Sequence, residues 1–330
     1  MSEPAPAAIV AGYQVGNYRL QRRIGAGAMG EVWLAHHELL ERPAAVKLMK
    51  PGLAAAGDDA PIQRFLREAR ATGSLESPNT VRLYDFGVTP QGVFYYVMER
   101  LRGVDLYRLV LEDGPLEPAR AIHFVDQACG ALAEAHGVGL VHRDVKPANI
   151  HACELGIDAD VVKVLDFGLV RDLGNRDVDI TGGRMIGSPA FVSPEGCRGE
   201  SDPRGDLYSL GCTLYFLLTS RFVFDAETLV DMVDAHLHQP ARPPSRAAPW
   251  PLPPGLDELV LELLEKDVAR RPASAREVRQ RLRAIPLEEP WTHALAEQWW
   301  ELNRARFAPP AAERSDPEEE ATHVVALDGA

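Results

Sequence analysis

Two short motifs in this chain contain the residue types that phosphoryl transfer needs. The first runs His-Arg-Asp-Val-Lys-Pro-Ala-Asn over residues 142–149, and the second, Asp-Phe-Gly over 166–168, begins 22 positions after Asp144. An aspartate beside a hydroxyl group can accept its proton, and an asparagine and a second aspartate can each bind Mg²⁺ between nucleotide phosphates. Because this chemistry depends on positioning and charge neutralisation, the two motifs in this order favour it over a chance match.

The letters Asp-Phe-Gly occur a second time at residues 85–87, so this motif alone is weak evidence. The earlier copy ends an apolar stretch at Val81 and Leu83 and leads into the turn sequence Thr-Pro-Gln-Gly at 89–92. Residues 93–98 then predict a strand. Residues 85–87 are therefore predicted to lie in a strand–turn–strand unit, outside the site.

A phosphate-binding loop is predicted near the beginning of the chain. Residues 18–49 alternate in the manner of strands, and they contain Gly25, Gly27 and Gly30. Glycines allow backbone N–H groups to approach phosphate oxygens. A dinucleotide-binding fold has the same spacing, but there a helix follows at once. Here Val32-Trp-Leu continues as a strand, which favours a hairpin over phosphates.

Lys47 follows this loop and can contact the α- and β-phosphates of a nucleotide. It is one of only five lysines, against 30 arginines. Such a lysine requires a carboxylate that holds it in place. Residues 61–75 have helical periodicity, and Glu68 is their only acidic residue. We therefore predict a Lys47–Glu68 pair; the alternative is an intrahelical pair of Glu68 with an arginine.

Together these motifs resemble the eukaryotic-type serine/threonine protein kinases of bacteria over residues 17–285. The resemblance implies an α+β, bilobal fold. A small, mostly antiparallel β lobe with one key helix (17–98) leads through a hinge (99–103) into a larger, mostly helical lobe (104–285).

The same resemblance implies a role for each residue of the catalytic motifs. Asp144 would orient the substrate hydroxyl and accept its proton, and Lys146, typical of the serine/threonine class, would neutralise charge on the γ-phosphoryl group. Asn149 and Asp166 would bind Mg²⁺, with Mn²⁺ as an alternative. The residues expected around ATP are Gly25, Ala26, Gly27, Gly30, Val32, Ala45, Lys47, Met98, Glu99, Leu101, Asn149 and Asp166, with Met98 as gatekeeper and 99–101 as hinge.

Arg143 is a candidate regulatory residue because it directly precedes Asp144. In this family such an arginine binds a phosphate on the activation segment, here residues 166–195. Thr181 is the best phosphorylation candidate in that segment. We hypothesise that autophosphorylation of Thr181 raises activity; an unchanged rate in Thr181→Ala would contradict this.

Residues 187–195 resemble the substrate-docking end of the activation segment, with departures at Ser188, Phe191 and Ser193. Ser188 keeps a hydroxyl that can bond the catalytic aspartate and lysine.

Three further residues are expected to support the larger lobe. Glu195 is predicted to form a buried pair with Arg271, and Asp206 to cap the backbone of the catalytic loop. His142 is expected to be a buried, hydrogen-bonded structural residue.

Composition limits the partners. The net charge of −13 argues against nucleic acid or an anionic membrane. The four cysteines lack Cys-x-x-Cys spacing, and His151 with Cys153 makes only a weak metal pair. Without an apolar run of about 18 residues or a signal peptide, a cytoplasmic protein with no transmembrane segment is expected.

The ends of the chain lie outside the kinase-like region. Residues 1–16 are predicted to be flexible, 286–308 to form a helix on the larger lobe, and 309–330 to be an acidic, disordered tail. The helix is predicted from the spacing of Trp291, Leu295, Trp299 and Leu302. Thr322 follows three glutamates, so its phosphorylated form is a hypothetical ligand for a phosphothreonine-reading domain; the alternative is an inert, solvated tail.

The predicted function is transfer of the ATP γ-phosphoryl group to protein Ser/Thr hydroxyls in bacterial signal transduction. A pseudokinase scaffold would lack Lys47, Asp144, Asn149 or Asp166, and all four are present. A small-molecule kinase would usually lack the docking segment at 187–195.

Overall fold

The computed structural model describes residues 9–27, 30–49, 60–167 and 189–307, the side chains of 60–65 excepted. The described residues form a β-rich smaller lobe and a mainly helical larger lobe, which confirms the predicted α+β, bilobal fold. No helix in these ranges has the length and apolar character needed to cross a membrane.

The smaller lobe is an antiparallel sheet of six strands within the described ranges, in the order β1-β2-β3-β4-β6-β5. Helix α1 (Ala60–Gly73) accompanies it. The strands are β1 (Gln14–Val15), β2 (Tyr18–Gly27), β3 (Gly30–His37), β4 (Pro43–Met49), β5 (Leu83–Val88) and β6 (Phe94–Glu99). Because β1 pairs with β2, the folded domain begins earlier than the predicted residue 17. The second Asp-Phe-Gly copy lies within β5, as predicted.

The two faces of this sheet have separate apolar clusters, and β6 contributes alternately to both. Tyr95 and Val97 pack in one cluster. Phe94, Tyr96 and Met98 pack in the other, beside Ala69 of α1 and the partly buried Leu165. The second face is therefore the one turned toward the Asp-Phe-Gly motif.

The larger lobe contains a small sheet and the remaining helices. The sheet comprises β7 (Gly103–Asp105), β8 (Ile150–Leu155) and β9 (Asp158–Val164). The helices are α2 (Leu106–Asp113), α3 (Pro118–Gly137), α4 (Pro194–Cys197), α5 (Pro203–Thr219), α6 (Leu229–His238), α7 (Leu256–Leu263), α8 (Ala275–Ala284) and α9 (His293–Phe307). Helix α5 is buried over almost its whole length and forms the centre of the lobe.

Gly103 marks the change from hinge to larger lobe. A Cβ atom at this position would lie 2.1 Å from the carbonyl oxygen of Ala152 on β8. Only glycine allows β7 to approach β8 this closely.

Helix α9 forms within the predicted extension, but the predicted apolar stripe is only partly buried: Trp291 and Trp299 are half-buried, and its two leucines are exposed. Leu295 is 40% exposed and Leu302 is 77% exposed, whereas Ala296, Trp300 and Phe307 are buried. Hydrogen bonds explain this difference. The indole nitrogens of Trp300 and Trp291 donate to the buried carboxylate of Asp160, and these bonds determine which face of α9 packs on the larger lobe.

Candidate active site

The catalytic loop brings three predicted residues into direct contact. Lys146 Nζ lies 2.7 Å from Asp144 Oδ2. Asn149 Nδ2 donates to the same Oδ2 at 2.9 Å and to the Asp144 carbonyl oxygen at 2.8 Å. One carboxylate thus binds both a cation and an amide, and its orientation is fixed relative to both.

Asp206 of α5 binds the backbone of this catalytic loop. Its buried carboxylate accepts hydrogen bonds from the backbone N–H groups of His142 and Arg143, each at 2.8 Å, which confirms the predicted capping role. His136 Nε2 lies 2.8 Å from the same carboxylate, a contact that the sequence did not indicate. Arg143 has φ +64°, a left-handed conformation that is uncommon outside glycine. The two backbone bonds to Asp206 stabilise this strained turn.

His142 connects the catalytic loop to the Asp-Phe-Gly motif. Its Nε2 donates to the carbonyl oxygen of Leu165 at 2.8 Å, and its ring packs 4.6 Å from the buried ring of Phe167. The predicted structural role of His142 is confirmed.

Asp166 receives hydrogen bonds from the smaller lobe on both carboxylate oxygens. Lys47 Nζ lies 2.6 Å from Oδ2, and the Tyr96 hydroxyl donates to Oδ1. Burial opposes ionisation of Asp166, but the charge of Lys47 and the two hydrogen bonds outweigh it, so the pKa of Asp166 lies below its ordinary value. The carboxylate is therefore ionised at neutral pH.

The predicted Lys47–Glu68 pair differs from the pairing found among the described residues. Lys47 pairs with Asp166, and Glu68 Oε1 instead lies 3.9 Å from Arg143 Nη1. Helical periodicity gave the face of α1 that carries Glu68, but the distance between α1 and β4 depends on tertiary packing. Arg143 also donates from Nε to the Ser201 hydroxyl at 3.0 Å.

The glycines expected to approach the nucleotide phosphates lie at the adjoining ends of two strands. Gly25, Ala26 and Gly27 end β2, and Gly30 begins β3. A Cβ at Gly30 would lie 2.0 Å from the Leu48 carbonyl oxygen, so close strand packing alone requires this glycine.

The apolar residues expected around ATP lie on the second sheet face. Ala45 and Met98 are paired residues of β4 and β6. They share a cluster with Val32 and with Leu165, which the sequence argument did not select. Leu101 is partly buried in the hinge.

Asn149 and Asp166 fit a hard divalent cation. Mg²⁺ prefers oxygen ligands. Because the amide nitrogen of Asn149 donates to Asp144, its oxygen Oδ1 is the atom that remains for a cation. The ionised carboxylate of Asp166 supplies the second kind of oxygen ligand that a divalent cation could use.

The docking end of the activation segment is anchored on the larger lobe. Arg271 donates to both carboxylate oxygens of Glu195, at 2.5 and 2.9 Å, and both side chains are buried. This confirms the predicted pair. Phe191 packs edge-on against Phe216 and Phe222, so its ring lies in an aromatic cluster of the larger lobe.

Ser193 accepts a hydrogen bond from Gly196 N and caps α4. The predicted regulatory residues Thr181 and Ser188 and the tail residue Thr322 lie outside the described residues.

A family model described as "Protein kinase domain" matches residues 18–282. The chain belongs to the protein kinase family. It is 36% identical to serine/threonine-protein kinase pkn3 of Myxococcus xanthus over 276 residues, covering 82% of this chain and 50% of the relative. It is 40% identical to PknB of Mycolicibacterium smegmatis over 267 residues (79% and 42%) and 36% identical to PrkC of Bacillus subtilis over 266 residues (80% and 39%). The resemblance to bacterial serine/threonine kinases is confirmed, and the chain spans half of these curated relatives' length or less.

Two further contacts in the kinase site were not predicted. The first is the Tyr96–Asp166 bond described above; strand alternation over 93–98 places Tyr96 on the same face as Met98 and was the available signal. The second joins Lys163 of β9 to Glu99 at the start of the hinge, with 2.7 Å between Nζ and Oε1. The small number of lysines draws attention to Lys163, but nothing in the sequence indicates that Glu99 is its partner.

Proposed function

We propose that this chain is a serine/threonine protein kinase that transfers the γ-phosphoryl group of ATP to protein hydroxyl groups in bacterial signal transduction. The observation that carries the proposal is the compact group of Asp144, Lys146 and Asn149, with 2.7–2.9 Å between the bonded atoms. The names of the three relatives support the same reaction and the same substrate class.

Each residue has a defined task in this reaction. Asp144 orients the substrate hydroxyl and accepts its proton, while Lys146, already beside Asp144, neutralises charge on the transferred group. Lys47 binds the α- and β-phosphates once it leaves Asp166. Asn149 Oδ1 and Asp166 would hold the divalent ion, which we infer to be Mg²⁺ with Mn²⁺ as a substitute. The ion supplies neutralisation of the phosphate charge.

The proposal includes regulation through residues outside the described ranges. Phosphorylated Thr181 would bind Arg143, and Ser188 would bond Asp144 and Lys146 at the docking end. Phosphorylated Thr322 is proposed as a ligand for a phosphothreonine-reading domain. A cytoplasmic location follows from the use of ATP as donor and stays a prediction.

The test is autophosphorylation of purified protein in ATP and Mg²⁺, mapped by mass spectrometry beside Asp144→Asn. We expect phosphate on serine or threonine in the wild type, and a rate lower by about 10²–10⁴-fold in the variant, which loses its general base. Wild-type protein mixed with Asp144→Asn reports transfer between molecules. ATP binding without phosphate transfer in any sample would refute the proposal and favour the scaffold alternative.

A further inference from the structure

Tyr96 lies inside the smaller lobe, next to two charged residues of the site. It is 1% exposed. It lies directly opposite Lys47 in the β4–β6 pairing, and Lys47 Nζ is 5.7 Å from the centre of its ring. Its hydroxyl donates to Asp166 Oδ1. Tyr96 therefore contacts the carboxylate to which the proposed function assigns metal binding.

A buried tyrosine hydroxyl requires a hydrogen-bond partner. Phe94 and Met98, the neighbours of Tyr96 on the same strand face, are apolar. The acceptor that the fold supplies is instead a carboxylate from the other lobe. A purely structural tyrosine would not need this particular acceptor, because water or a backbone carbonyl would serve as well.

The bond has a consequence for the metal. Lys47 occupies Oδ2 of Asp166 and Tyr96 occupies Oδ1, so both oxygens are engaged by the smaller lobe. A metal ion needs at least one of these oxygens. Asp166 also has φ +61°, a left-handed conformation that its surroundings must hold.

We propose that Tyr96 is a positioning residue that, together with Lys47, holds Asp166 in a resting arrangement from which Mg²⁺ must release it. This inference rests on the proposed function, since it assumes that Asp166 binds metal with ATP. Metal-free nucleotide displaces Lys47 from Asp166 and leaves the Tyr96–Asp166 bond intact. A metal ion bound at Asp166 Oδ1 would compete with the Tyr96 hydroxyl for that oxygen. Tyr96 thus weakens metal-dependent binding and leaves metal-free binding unchanged.

The test measures the dissociation constant of a non-hydrolysable ATP analogue by calorimetry, once in EDTA and once in saturating Mg²⁺. The dissociation constant in EDTA divided by the dissociation constant in Mg²⁺ measures how much the metal strengthens nucleotide binding. Tyr96→Phe removes only the hydroxyl. We expect the dissociation constant of Tyr96→Phe in EDTA to match that of the wild type. The ratio of the EDTA constant to the Mg²⁺ constant should be about fivefold higher in Tyr96→Phe, since one net hydrogen bond corresponds to about 1 kcal/mol.

Tyr95→Phe is the matched control. Tyr95 is the preceding residue of the same strand, buried on the opposite sheet face. Its ratio should equal that of the wild type. Tyr96→Met, which also lacks the hydroxyl, should reproduce the increase and guards against a folding defect specific to the phenylalanine.

The outcomes separate this inference from the proposed function. A wild-type ratio near one would show that metal does not assist nucleotide binding, and both proposals would fail. A normal wild-type ratio that stays unchanged or falls in Tyr96→Phe and Tyr96→Met would overturn the role of Tyr96 alone. An equal increase in Tyr95→Phe would overturn it too, because any loosening of the sheet would then suffice.

Discussion

Replacing Asp160 with asparagine should uncouple helix α9 from the larger lobe. Asp160 is 0% exposed on β9. Its carboxylate accepts hydrogen bonds from Arg120 Nε and Nη2 at 2.9 and 3.1 Å, Trp291 Nε1 at 3.0 Å and Trp300 Nε1 at 2.7 Å. The Arg120 guanidinium, also buried, lies 3.9 Å from the centre of the Trp299 ring. One carboxylate therefore joins α3, β9 and the C-terminal extension.

The magnitude follows from burial. Asparagine has the size of aspartate and tolerates the φ of +55° found at Asp160, so the backbone is not disturbed. The lost charge leaves Arg120 buried without its counter-ion, which costs about 3–5 kcal/mol of unfolding free energy. Trp300→Phe removes one hydrogen bond to a charged group and should cost about 1.5–3 kcal/mol. These losses should not add, because both residues belong to one network.

Urea denaturation followed by circular dichroism measures these changes. Asp158→Asn is the matched control, since Asp158 begins the same strand but its side chain is 62% exposed; a change within about 0.5 kcal/mol is expected. The double variant Arg120→Met/Asp160→Asn should recover much of the loss, because neither charge remains buried alone. Asp160→Asn as stable as Asp158→Asn would refute the reasoning.

Two further predictions concern stability of the larger lobe. Arg271→Leu leaves Glu195 buried without its partner and should lower the unfolding free energy by about 3–5 kcal/mol, whereas Arg270→Leu, at an exposed pair, should have little effect in the same urea titration. Burial lowers the pKa of His236 from 6.5 to about 3. Below pH 6.5 the histidine is therefore protonated in the unfolded state but stays neutral in the folded state. The free energy of unfolding should fall by about 2 kcal/mol between neutral pH and pH 5. His236→Gln should remove this loss and His238→Gln, on the same helix but exposed, should retain it; equal pH dependence in both variants would contradict the assignment.

The catalytic group was predictable because its residues belong to short motifs. Asp144, Lys146 and Asn149 lie within six positions, so their mutual distances depend on one loop. Glu195 with Arg271 was predictable only through resemblance to a family whose pairing is known. In these cases the short motif or the family resemblance determines which side chains lie next to each other.

The unpredicted contacts join elements that are distant in sequence. Spacing along α9 allowed two neighbouring stripes, one with Leu295 and Leu302 and one with Trp300 and Phe307. Hydrophobicity favours neither strongly, since both contain tryptophan and large apolar side chains. The choice was made by Asp160, 140 positions earlier, through a hydrogen bond that no helical period reveals.

The pairing of Lys47 shows the same limit within the site. The predicted partner of Lys47, Glu68, lies on α1, whereas the partner it has in the fold, Asp166, lies 119 positions along the chain from Lys47. In the present arrangement Asp166 takes Lys47 and Glu68 lies near Arg143, so forming a Lys47–Glu68 pair requires both contacts to break. Nucleotide phosphates would compete for Lys47, a metal for Asp166, and a phosphate on the activation segment for Arg143. Each of these groups would favour the change from the Lys47–Asp166 pair to a Lys47–Glu68 pair. The sequence contains all of these residues and is therefore compatible with either pair.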